Sequence, residues 1–314
     1  MNSPFSLHRD WSNYAKLFAA LLVAVSHYST VIVVNNHWSD SQFLRLWCQG
    51  GYIGVAIFFF FSGFGLMESD QREHLSLKLF IKKRFAKVYL PVLLVSAIWT
   101  PIYNLWVANP TTEVNLWGTV YDILWNFHDP VLWFVKILFL LYFVFFTATE
   151  LHERGFHVIG HLLMISGIVF ATWLANHNGY PYISVPLFGI GVYTSVLKQQ
   201  YVLRIPACYY LIGAMTFVCA ICFVLTREAD PAHGVLNCVI LAITLLIIRV
   251  LQTITPPILL SAFTISATYT IYIVHFKVLD LMVANWGHIS YWSWAATTMV
   301  VTIVITYIRN LLKI

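Results

Sequence analysis

Ten long apolar runs, separated by short polar stretches, leave this 314-residue chain few choices of fold. They fall roughly at 14–34, 52–68, 88–108, 131–149, 158–176, 181–197, 207–226, 234–250, 258–284 and 290–310. Most approach the roughly 20 residues that a helix needs to cross a bilayer. In lipid only helices or closed barrels satisfy every backbone group, and these runs are too long and too weakly alternating for barrel strands. The expected fold is therefore all-α: a polytopic membrane helix bundle of about ten transmembrane helices. Charged residues make up only 10% of the chain and hydrophobic residues 60%, which excludes both a water-soluble globule and a disordered chain. The length is used up by the spans, so residues 1–314 read as one membrane domain with no appended soluble domain.

Orientation follows from the bias of lysine and arginine. With the amino terminus inside, the cytoplasmic flanks collect Arg9, Lys16, Arg72, Lys78, Lys82, Lys83, Arg84, Lys87, Arg154, Lys198, Arg204, Arg249, Arg309 and Lys313. The opposite side keeps Arg45 and Arg227. Both termini are thus expected in the cytoplasm, and the net charge of +5 reflects loop charge rather than a nucleic-acid partner. Residues 109–130, with Trp117, Tyr121 and Trp125, read as an outer segment lying at the interface. Residues 69–87 form a basic loop whose second half looks helical, and residues 176–183 form an outer turn punctuated by Gly179 and Pro181. The Cys219–Cys222 pair lies in an apolar run without histidine or acid nearby, so packed thiols are expected there and no metal site.

Ionisable residues inside spans are costly, and they mark where to look for chemistry. Lys16 and His27 are eleven residues apart in the first span, close to three full turns, so they share a face about 16 Å apart along the axis. Asn13, Ala20 and Ala24 lie on the same stripe. An imidazole there can serve as a general base, or it can be a packing group bonded to a neighbouring helix. His275 is a second buried candidate, with Tyr272 one turn before it and Lys277 and Asp280 beyond, the last two spaced to pair structurally. Lys136 is placed to snorkel from the outer end of its span.

The string FIKKRFAKVYLP carries Lys82, Lys83, Arg84 and Lys87 ahead of Pro91. Charge alone makes it a positive-inside anchor on anionic lipid; a guanidinium beside ammonium groups also suits phosphates. In GGYIGVAIFFFFSGFGLMES the glycines permit close helix approach, and Ser62 lacks the histidine or acid partner a serine nucleophile needs.

Taken in order, five of these pieces resemble the acyltransferase-3 family of integral membrane O-acyltransferases. They are the first span ending in ALLVAVSHYS, the Phe-rich AIFFFFSGFGL, the basic FIKKRFAKVYLP, VLWFVKILFLLY and ISATYTIYIVH. The resemblance implies catalytic roles for His27 and His275, with the acyl donor's anionic end held by Lys16, Lys82, Lys83, Arg84 and Lys87. It implies acetyl-CoA as the donor substrate, no permanently bound cofactor, and a carbohydrate acceptor met by Trp117, Tyr121, Trp125, Trp133 and Tyr272. Its setting would be the bacterial inner membrane, where the activity would be acetyl transfer to a hydroxyl of an envelope polysaccharide or lipid-linked sugar. Lysine stands at positions 16 and 87, where many members carry arginine; it keeps the charge but loses the bidentate fork. The competing reading is a proton-coupled secondary transporter that uses His27, His275 and Lys277 as a relay. Such folds often carry paired half-repeats, and none is visible in this chain.

Overall fold

The computed structural model describes residues 9–35, 47–48, 50–74, 76–107, 116–121, 123–124, 130–180, 182–200, 261–286 and 289–312. It is helical, with no strand among the described residues. Among the described residues, seven helices are long and apolar enough to cross a membrane: Ser12–Ile32, Gly50–Arg72, Leu77–Asn104, Trp133–Glu153, His157–His177, Ala262–Trp286 and Tyr291–Leu311. The span expected at 181–197 is the shorter apolar helix Tyr182–Val196. Those expected at 207–226 and 234–250 lie outside the described residues, as do Cys208, Cys219, Cys222 and Cys238.

In chain order the elements used below are α1 (Arg9–Ser29), α2 (Gly50–Arg72), α3 (Leu77–Arg84), α4 (Leu90–Trp106), α5 (Leu116–Tyr121) and α6 (Trp133–Glu153), followed by α7 (His157–His177), α8 (Leu187–Gln200), α9 (Ala262–Trp286) and α10 (Tyr291–Leu311). They fall into two compact units. The first comprises Met1–Ala19, Tyr52–Leu75 and Lys136–Leu259, the second Ala20–Gly51, Ser76–Val135 and Leu260–Ile314.

In the first unit, glycines set how closely the backbones meet. A Cβ added at Gly63 of α2 would collide with the Phe188 carbonyl oxygen at the start of α8, and one at Gly191 would collide with the Phe60 carbonyl oxygen. The Phe-rich string therefore packs, with Phe59, Phe60 and Phe61 almost fully buried. Gly179 takes φ +71°, and the Tyr180 N–H donates to the Ala175 carbonyl at 2.8 Å, closing α7 where the sequence placed a turn. Just past α2, the His74 ring nitrogens lie 2.9 Å from Asp70 Oδ1 and 3.3 Å from Glu150 Oε2 on α6. Burial disfavours the charged ring, but the hydrogen bonds to Glu150 and Asp70 outweigh it and raise His74 above the ordinary imidazole range.

In the second unit, α9 and α10 form a hairpin, and α4 and the second half of α1 pack against it. Ser290 caps α10, its side chain accepting from the Ser293 N–H. Ala24, Tyr28 and Ile32 of the first span join Val278, Leu279, Met282, Ile289 and Trp294 in one apolar core. α10 is polar inside and apolar outside. Thr298, Thr302, Thr306 and Arg309 are buried, whereas Met299, Val300, Ile303, Val304 and Tyr307 are exposed, as a lipid-facing helix requires.

The expected basic loop is helical from Leu77 and runs into α4 through a π-helical turn, Phe85–Tyr89. Pro91 has no N–H for the Lys87 carbonyl, and its ring crowds that carbonyl. The backbone widens accordingly, and the Leu90 N–H reaches back five residues to Phe85.

Replacing Gly63 with valine should abolish or strongly destabilise the fold, read as loss of monodisperse protein in detergent. Gly65→Ala, where an added Cβ meets nothing within 4 Å, should be tolerated. Equal behaviour of the two variants would contradict the close α2–α8 approach.

Candidate active site

The two histidines singled out from sequence meet. His27 Nδ1 lies 2.9 Å from His275 Nε2, across a separation of 248 residues, with the rings nearly parallel and centroids 5.1 Å apart. His275 is wholly buried and His27 half-buried. The other nitrogen of His275, Nδ1, lies 3.0 Å from the Ile271 carbonyl oxygen one turn back on α9.

These contacts fix the proton order. A carbonyl only accepts, so His275 Nδ1 carries a hydrogen and donates it. In the neutral ring His275 Nε2 is then the acceptor, and His27 Nδ1–H donates to it. His27 Nε2 is left with its lone pair and no hydrogen-bond partner among the described residues. The pair thus presents one basic nitrogen and holds its ring by the other, an arrangement suited to proton abstraction.

The surroundings hold this geometry. The Trp294 Nε1–H donates to the His275 carbonyl at 3.2 Å, and Trp294 stacks on Tyr28, beside His27, at a centroid distance of 4.9 Å. The Tyr28 hydroxyl donates to the Ile289 carbonyl at 2.9 Å. Phe276 meets the His27 ring edge-on at 5.5 Å. Tyr272 lies 6.1 Å from the His275 ring and 5.6 Å from Phe134, and its hydroxyl donates to the Val131 carbonyl at 3.0 Å. Lys277 is buried, its ammonium 5.6 Å from the centre of the Trp99 ring, a cation–π contact.

The basic segment is tied to the same helix. The Tyr269 hydroxyl, six residues before His275, donates to the Val88 carbonyl inside the π turn at 2.8 Å. Lys82 and Lys87 are exposed, Lys83 and Arg84 half-buried, and the Arg84 guanidinium sits 5.7 Å from the Phe80 ring centre. Lys16 is half-buried on α1.

The expected aromatic acceptor residues do not form one group. Trp117 and Tyr121 on α5 are exposed, Trp133 and Tyr272 are buried, and Trp125 lies outside the described residues. Of residues 109–130, read in the sequence as an interfacial segment, the structure describes 116–121, 123–124 and 130, and the Tyr89 hydroxyl hydrogen-bonds the Leu124 carbonyl. Tyr89 and Tyr272 supply hydroxyl donors to the Leu124 and Val131 carbonyls, contacts that no local sequence pattern announces.

A family model described as an acyltransferase domain matches residues 9–309, nearly the whole chain. The chain belongs to the acyltransferase-3 family. It is a multi-pass membrane protein of an acyltransferase family, and the match runs through both units and all five motif pieces. No curated protein and no solved structure matches the chain.

Tyr272→Phe should lower thermal stability by about 1–3 kcal/mol, because it strands a buried carbonyl without changing the ring. An unchanged unfolding temperature would contradict the anchoring of Val131 by Tyr272.

Proposed function

We propose that this acyltransferase moves an acetyl group from acetyl-CoA to a hydroxyl of an envelope polysaccharide or lipid-linked sugar in the bacterial inner membrane, with His27 as general base. The observation that carries the reading is the directed histidine pair, which leaves His27 Nε2 as the unengaged basic nitrogen. His27 Nε2 takes the proton of the acceptor hydroxyl while the oxygen attacks the thioester carbonyl. The C–S bond then breaks, the acetyl ester remains on the sugar, and the leaving thiolate takes the proton from the imidazolium. His275 acts through His27: it fixes the tautomer and supports the charge that forms on the ring, so it is a positioning residue.

Lys82, Lys83, Arg84 and Lys87 suit the donor's phosphates on the cytoplasmic side, and Lys16 adds a cation on the His27 stripe of α1. With lysine at 87 in place of arginine, phosphate is held by charge more than by a bidentate fork. The exposed rings of Trp117 and Tyr121 suit the faces of a sugar. Family membership favours this reading over a transporter with a histidine relay.

Purified protein in proteoliposomes, given radiolabelled acetyl-CoA and a hydroxyl acceptor, should transfer label. His27→Ala should reduce turnover by about 10²- to 10⁴-fold. The double charge reversal Arg84→Glu, Lys87→Glu should act mainly by raising the KM for acetyl-CoA. Undiminished turnover in His27→Ala would refute the assignment.

A further inference from the structure

Arg309 reads from sequence as one more flanking charge at the end of the last span, yet only 6% of it is exposed. Its Nη1 donates to the Thr270 hydroxyl at 2.7 Å and points to the Ser266 carbonyl at 3.4 Å, both on α9. Nε is buried without a hydrogen-bond partner, and none is found for Nη2 among the described residues. No carboxylate of the described residues pairs with this guanidinium.

That is the arrangement of a held group whose Nε–Nη2 edge has no hydrogen-bond partner among the described residues. Nε–H and Nη2–H form the side-on pair of parallel donors that matches two oxygens of one anion, and Nη1 is spent on anchoring. A buried, unpaired guanidinium is costly, and an anionic oxygen pair is what would offset the cost. The buried face of α10 leading to it carries Thr298, Thr302 and Thr306, whose hydroxyls have no partner among the described residues. Apolar packing alone gives no reason for four such groups on one face.

The location gives the anion its context. Thr270 follows Tyr269, whose hydroxyl holds the Val88 carbonyl beside Lys87. Arg309 is therefore anchored on the stretch of α9 to which the basic segment is attached. Ser266 and His275 are nine residues apart on α9, about 14 Å along its axis.

We propose that Arg309, braced by Thr270 and Ser266, forms a phosphate-binding site that takes a phosphate group side-on through Nε and Nη2. In the acetyl-CoA reading, on which this identification of the ligand rests, the phosphate belongs to the donor. The same chemistry would accept the phosphate of an anionic lipid.

The test is binding, separate from turnover. Protein in phosphatidylcholine nanodiscs is titrated with coenzyme A and with inorganic pyrophosphate, and retention of phosphatidylglycerol is read by native mass spectrometry. Arg309→Gln should weaken coenzyme A and pyrophosphate about 10-fold or more, since charge-assisted bonds are lost. Arg309→Lys, which keeps the charge and loses the fork, should fall between. If Arg309→Gln does not fold, Thr270→Val serves, because it frees Nη1 while keeping the guanidinium, and it should also weaken both probes. Loss of phosphatidylglycerol retention alone would support the site with a lipid as its source. Unchanged binding of all three in the folded variants would overturn the proposal. Absence of coenzyme A binding by the parent protein would instead refute the acetyl-CoA reading, with pyrophosphate still testing Arg309.

Discussion

The hydrogen bond between His27 and His275 depends on three helices being held in register, and much of the second unit is built around that requirement. α1 supplies one ring and α9 the other, while α10 supplies the tryptophan that holds both: Trp294 stacks on Tyr28 and donates to the carbonyl of His275. The Ala24, Tyr28, Val278, Leu279 and Met282 core fixes the spacing. In such surroundings a hydrogen bond is stronger than in water and an unmade one is expensive. Once Ile271 claims one nitrogen of His275, the proton order of the pair follows, and in the proposed reaction it is backbone geometry that defines the base.

The second constraint is that buried backbone must be satisfied wherever it departs from an α-helix. Pro91 removes a donor beside the basic segment, and the chain answers with a π turn. The hydroxyls of Tyr89 and Tyr272 hydrogen-bond the Leu124 and Val131 carbonyls. Tyr269 does the same for Val88. Three tyrosines thus link the basic segment, Leu124, Val131 and α9, and two of the three stand on α9 within six residues of His275.

What the sequence made legible was whatever depends on local pattern. The apolar runs mark the helices, Gly179 marks a turn, and the eleven-residue spacing puts Lys16 and His27 on one stripe of α1. The five ordered motif pieces point to the family that the chain belongs to. What was not legible depends on partners remote in the chain. His27 and His275 are each recognisable as candidates, but their meeting spans 248 residues, and no spacing rule reports it. Arg309 looks like any terminal cation because position on a helix does not say whether a side chain faces headgroups or a neighbouring helix; the polar face at Thr298, Thr302 and Thr306 was the overlooked signal. The hydrogen bonds that Leu124 and Val131 accept are hidden for the same reason, since their donors lie at the end of the π turn and on α9.

The most direct test of this account is the protonation pattern of the histidine pair, read by ¹⁵N NMR of histidine-labelled protein in nanodiscs at alkaline pH, with His27→Gln and His275→Gln used for assignment. The account predicts Nδ1–H tautomers for both rings, an unprotonated His27 Nε2, and a coupling through the His27 Nδ1–H to His275 Nε2. An Nε2–H tautomer at His27, or two rings that titrate as if neither felt the other, would contradict it.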